Sequence, residues 1–164
     1  ILKEGDVLSL DLGMKYQGLY TDIALTIGIG KIKMKTKKLL KVCKIALVKG
    51  IKAAKEGNHL GDIGFVIQKY VESRGFNIIR KLVGHGVGYS VHEEPDVPNW
   101  GEPGQGEVLK KRMVLAIEPM IVEGKPDVFL ASDGWTWKTK NGLRAAHFEH
   151  TIAVGKTKSE ILTL

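Results

Sequence analysis

Four carboxylates stand where apolar strands are expected. Asp11 lies inside Val7-Leu8-Ser9-Leu10-Asp11-Leu12, and Asp22 inside the stretch Leu19 to Ile27. Glu118 ends the run Met113-Val114-Leu115-Ala116-Ile117, and Glu149 stands just before Thr151-Ile152-Ala153-Val154. An ionised carboxylate taken out of water without a partner is very costly. Any one of these acids has an ordinary remedy in a lysine or a strand-end amide. All four together ask for a shared counter-ion, because the same chain carries His85 between Gly84 and Gly86. Flanking glycines let a backbone come close to its surroundings and leave the imidazole unobstructed. Carboxylate oxygens with one imidazole form a hard-to-borderline ligand set. It suits Mn, Fe(II), Co or Zn, whereas a structural zinc site would draw on cysteines. A second histidine, His92, follows in His92-Glu93-Glu94-Pro95.

The elements that must position these groups are legible in part. Val7 to Leu12 and Leu19 to Ile27 read as an antiparallel hairpin with a turn in the span Lys15 to Gly18. A turn centred between Tyr16 and Gln17 sets Asp11 directly opposite Asp22, with about 5 Å between their Cβ atoms. Two like charges at that spacing repel unless a cation lies between them. Thr36 to about Lys55 reads as a helix with Leu39, Val42, Ala46, Lys49 and Ala53 at its spacing. Gly61 to Arg74 reads as a second, with Ile63, Val66, Ile67, Tyr70 and Val71 on one face and Gly75 as its stop. Strands are then expected at Asn77–Val83, Met113–Ile117, Val128–Leu130, Gly134–Lys138 and Ala146–Val154. A long loop runs through Asn99-Trp100-Gly101. In one uninterrupted strand, His147 shares a face with Glu149 and is either a group that orients a metal ligand or a surface histidine. Hairpin, helices and further strands make a single α+β domain over residues 1–164.

Composition narrows the setting. The chain has 164 residues and a net charge of +7, and no apolar run approaches the ~20 residues of a membrane span. Ile1-Leu2 is followed at once by Lys3, Glu4 and Asp6, unlike a secretory signal. One cysteine, Cys43, cannot form an internal disulfide and suits a reducing cytoplasm. Its apolar neighbours mark it as structural. Seven lysines between Lys31 and Lys44 form either a solvated face or a contact for RNA, including that of the ribosome. No aromatics alternate with them, so base stacking has no support there.

Taken in order, Asp11-Leu12-Gly13, Thr21-Asp22-Ile23-Ala24, Gly84-His85-Gly86-Val87-Gly88, His92-Glu93-Glu94-Pro95, Ala116-Ile117-Glu118-Pro119-Met120 and Glu149-His150-Thr151 closely resemble the methionine aminopeptidase family. The short interval between Glu118 and Glu149 leaves no room for the helical insertion of type II and points to type I. The resemblance implies the pita-bread (creatinase/aminopeptidase-like) α+β fold, a curved antiparallel sheet with flanking helices. It implies two divalent metal ions, with Asp11 on one, His85 and Glu118 on the other, and Asp22 and Glu149 bridging. It implies removal of the initiator methionine from the N-terminal peptide of nascent proteins by a metal-activated water. Glu118 would be the proton acceptor, His92 the partner of the substrate carbonyl, and Trp135 a wall of the methionine pocket. The chain starts close to its first metal aspartate, so the family's N-terminal segment and one of two catalytic histidines are expected to be lacking. Low turnover, an exposed sheet edge and oligomerisation through that edge are expected in consequence. Lys110-Lys111-Arg112 and Val91 depart from the family's usual residues.

Overall fold

The computed structural model describes residues 1–163. A two-residue reversal at Gln17-Gly18 joins β1 (Val7–Tyr16) to β2 (Leu19–Gly28). Both turn residues have positive φ, at 48° and 86°, which is the conformation that a tight hairpin between right-twisted strands requires. This turn lies one residue later than the sequence suggested. Asp11 therefore pairs with Ala24 and Asp22 with Gly13, so the aspartates are diagonal neighbours rather than directly opposed. They still share a face, because side chains alternate with a period of two.

The hairpin also corrects the expectation that all four acids are buried. β1 forms the free edge of a two-stranded sheet, and Asp11 on it is exposed. Leu10, Leu12, Met14 and Tyr16 lie on the other face of β1 and are all exposed.

Two helices follow, α1 (Met34–Ala53) and α2 (Leu60–Ser73). α1 buries Leu39, Val42, Cys43, Ala46, Leu47, Gly50 and Ile51, while Lys49, expected at the seam, is exposed. A Cβ on Gly50 would lie 2.7 Å from the Ile67 side chain and 3.2 Å from that of Ile117, so glycine sets how closely α1 approaches α2 and the sheet. α2 ends as expected, with Gly75 at φ 82°.

The remainder is short antiparallel strands: β3 (Asn77–Ile78), β4 (Gly84–Gly86), β5 (Glu93–Val97), β6 (Val114–Ile117), β7 (Met120–Val122), β8 (Val128–Leu130), β9 (Trp137–Thr139), β10 (Ala145–His147), β11 (His150–Ala153) and β12 (Glu160–Ile161). They form sheets in the orders β10-β7-β3, β12-β11-β6-β4-β5 and β8-β9. The single strand expected over Asn77–Val83 shrinks to β3. The strand expected over Ala146–Val154 splits into β10 and β11.

That split positions chemistry. β6 pairs with β11 at Ile117↔His150, and β7 pairs with β10 at Met120↔His147. The register is the same on both sides of the gap, so the gap sets Glu118-Pro119 across from Phe148-Glu149. Proline has no N–H to give to a ladder, which is why pairing fails at this level. Leu115, Ile117, Ile121 and Ile152 pack with α1 and α2 in the main core, while Glu118, Met120 and His147 face a cleft on the other side.

Candidate metal centre

Each acid is held by its own piece of backbone. Asp22 is 7% exposed on β2, and its N–H donates to Thr151 Oγ1 at 2.8 Å while its carbonyl accepts that hydroxyl proton at 2.7 Å. The N–H of Glu149 donates to the Ala24 carbonyl at 2.8 Å. These bonds fasten the hairpin to the gap in the sheet. Across the gap, Asn99 Nδ2 donates to the Glu118 carbonyl at 3.0 Å from a buried position.

His85 sits on β4 between β6 and β5. A Cβ on Gly84 would meet the Ala116 carbonyl, and one on Gly86 the Glu94 carbonyl. The glycines therefore serve strand packing around the imidazole. The Nδ1 of His85 lies 2.8 Å from the Gly86 carbonyl. A carbonyl only accepts, so Nδ1 carries a proton, and Nε2 is the ring nitrogen turned toward the acids. Nε2 faces three carboxylates: Glu118 Oε1 at 3.4 Å, Asp22 Oδ2 at 3.9 Å and Glu149 Oε1 at 3.9 Å.

Carboxylates that converge in this way repel one another, and a cation between them would balance their charge. Glu149 gives the same indication: it is 2% exposed, and its buried Oε1 has no hydrogen-bond partner. Burial raises its pKa far above the carboxylate range, and the charges of Glu118, Asp22 and Asp11 add to that. Burial, then the Asp11 charge, raises Asp22 as well.

Donor atoms within 4.8 Å of one another form three overlapping groups: His85, Glu118 and Glu149; Asp11, Asp22 and Glu149; and Asp22, His85 and His92. Glu149, Asp22 and His85 each belong to two of them. Oxygen-rich donors with one imidazole fit divalent cations of the Mn, Fe, Co or Zn kind. Five residues singled out in the sequence thus converge, and His92 stands beside them with its ring centroid 4.3 Å from that of His85.

A cleft of about 920 Å³ opens over the acids. His92, Glu118 and His147 line it, with Ile79, Leu82, Met120, Val128, Trp135 and Trp137 as its apolar part. Trp135 is 88% exposed at the rim, which excludes core packing. His147 Nε2 lies 3.1 Å from Glu118 Oε2, across the gap rather than along a shared strand face with Glu149. Cys43 is buried, with burial pushing its thiol pKa upward, so it stays outside the chemistry. Sequence reasoning passed over Thr26 and Thr151, whose hydroxyls join the hairpin to the sheet. The trace they left was spacing: Thr26 follows Asp22 by four residues on β2, and Thr151 follows Glu149 by two.

Comparison with known proteins agrees with this geometry. The chain is 47% identical over 163 residues to methionine aminopeptidase 1 of Bacillus subtilis, covering 99% of this chain and 66% of the relative. It is 46% identical to the methionine aminopeptidase of Clostridium perfringens, again covering 66% of it. The chain thus spans just under two thirds of these curated relatives. The crystal structure of the Thermotoga maritima methionine aminopeptidase superposes with a TM-score of 0.97 at 52% identity, over 99% of this chain and 66% of that one. A prolidase from Pyrococcus horikoshii shares the fold at a TM-score of 0.79 and 28% identity, over 99% of this chain and 41% of that one. The profile of metallopeptidase family M24 matches residues 1–156, the span that carries all five converging donors. With its pita-bread fold and a carboxylate cluster arranged to hold cations, the chain belongs to metallopeptidase family M24.

Proposed function

We propose that this chain performs metal-dependent removal of an N-terminal methionine from peptides and nascent proteins. The observation that carries the reading is the orphaned, buried Glu149 Oε1 facing His85 Nε2 among three further carboxylates. In this reading Asp11, together with His85 and Glu118 and with Asp22 and Glu149 common to both sites, would hold two divalent cations. Cations so held supply Lewis acidity, lowering the pKa of water toward neutrality and polarising a carbonyl. The protein's own groups do the rest. Glu118 accepts the proton of the attacking water. His92 donates a hydrogen bond to the scissile carbonyl oxygen and to the oxyanion that develops there. The apolar part of the cleft, from Ile79, Leu82, Met120, Val128 and Trp137, has the chemistry to take an unbranched thioether side chain, with Trp135 at its rim.

The partner chemistry follows from the same reading. The substrate is the free N-terminus of a polypeptide, met in the cytoplasm. Lys31 to Lys44 is the segment proposed to touch RNA of the ribosome, and the exposed face of β1 is the surface proposed for association with another chain. Among the described residues no helix is long and apolar enough to cross a membrane.

The test is hydrolysis of Met-Ala-Ser against Ala-Pro and Xaa-Pro peptides, with Mn or Co added and with chelator. Methionine release that needs the metal and spares the proline peptides is the expected result. Cleavage of only the proline peptides would point to the prolidase-type specificity of the same fold. Cleavage of neither class by metal-loaded protein would remove catalysis from this chain.

A further inference from the structure

The Glu118 carboxylate has two oxygens with different neighbours. Oε1 lies 3.4 Å from His85 Nε2, inside the donor cluster. Oε2 lies 3.1 Å from His147 Nε2, at the cleft wall. A carboxylate only accepts in its ionised form, so Nε2 of His147 carries the proton and donates it.

His147 is itself clamped. Its N–H donates to Thr26 Oγ1 at 2.9 Å, and its carbonyl accepts from the same hydroxyl at 2.7 Å. That uses the single hydroxyl proton of Thr26, so in the 2.9 Å contact between Ser9 and Thr26 the Ser9 hydroxyl donates. A chain of bonds thus runs from β1 through Thr26 and His147 to Glu118. It links the hairpin that bears Asp11 and Asp22 to the glutamate on the far side of the cluster.

We propose that His147 is a positioning residue: by holding Oε2, it commits Glu118 to ligation through Oε1 alone and keeps both halves of the cluster in register. This rests on the cation-binding reading above. Without the donor, the carboxylate is free to turn and offer both oxygens, which would change how it holds a cation together with His85. Groups that orient a metal ligand in this way typically account for about 10–100-fold in metal affinity.

The near-isosteric pair H147Q and H147M separates the donor from mere packing. Both variants and the unsubstituted chain are titrated with Mn(II) by calorimetry, and their Co(II) visible spectra are recorded. H147M is expected to weaken one of two binding events by about 10–100-fold and to change the intensity of the Co(II) bands. H147Q, which keeps an N–H donor, is expected to restore both toward the original values. If H147M folds poorly, T26V serves instead, since it removes both backbone clamps on His147 and should weaken the same binding event. Unchanged affinities and spectra in folded H147M overturn the role given to His147. Absence of saturable binding to the unsubstituted chain overturns the cation reading itself.

Discussion

At the scale of single residues, the centre is a set of groups whose charges conflict in the protein alone. Asp22 and Glu149 both have pKa values above their ordinary 3.8 and 4.5, chiefly through burial. In the metal-free state the folded chain therefore holds protons that the unfolded chain releases. The stability these groups contribute is complete below their ordinary pKa values and is lost as pH rises toward the folded ones. In chelator, the thermal midpoint is expected to fall between pH 5 and pH 8, and Mn(II) is expected to reverse the fall. E149Q should flatten much of that slope in a differential scanning experiment. A midpoint that rises over the same range would contradict this assignment.

At the scale of elements, the cluster depends on one junction. β2 meets β11 through Thr151, whose hydroxyl serves both the N–H and the carbonyl of Asp22. T151V keeps the shape and leaves both buried backbone groups without partners, each at a cost of about 1–3 kcal/mol. A fall of that order in unfolding free energy, with weakened Mn(II) binding, is expected from denaturant titration of the metal-free and metal-loaded chain. Much of this architecture was legible in the sequence. The hairpin, both helices and Gly75 as the second helix stop follow from local periodicity and turn chemistry; acids in or at the ends of apolar runs marked four of the five donors, and flanking glycines marked His85. Register was not legible, because a one-residue shift of the turn from Tyr16-Gln17 to Gln17-Gly18 costs nothing in apolar pattern. It is decided by which residues tolerate positive φ. The split of the last strand also escaped the pattern, since it arises from Pro119 on a strand distant in sequence. His147 illustrates the consequence: an unbroken strand would set it on the face of Glu149, but its partner is Glu118 across the gap.

At the scale of the whole molecule, two faces differ sharply. The sheets bury one side under α1 and α2 and open the other as the cleft that holds the acids. The hairpin adds a third surface. Leu10, Leu12, Met14, Tyr16 and Leu19 stand 47–69% exposed on one face of it, and contiguous apolar patches of this kind usually meet another polypeptide. Association that strengthens with concentration is expected in sedimentation velocity, and L12K/M14E should abolish it. A monodisperse monomer at all concentrations would contradict it. On the cleft face, five donors from the hairpin, β4 and the sheet gap converge, and the proposal is that they hold two cations. The most direct measurement is the stoichiometry of Mn(II) binding by calorimetry, with the bound metal counted by elemental analysis. Two equivalents per chain, reduced by E149Q, is the result this account predicts; no saturable binding, or binding indifferent to Glu149, would contradict it.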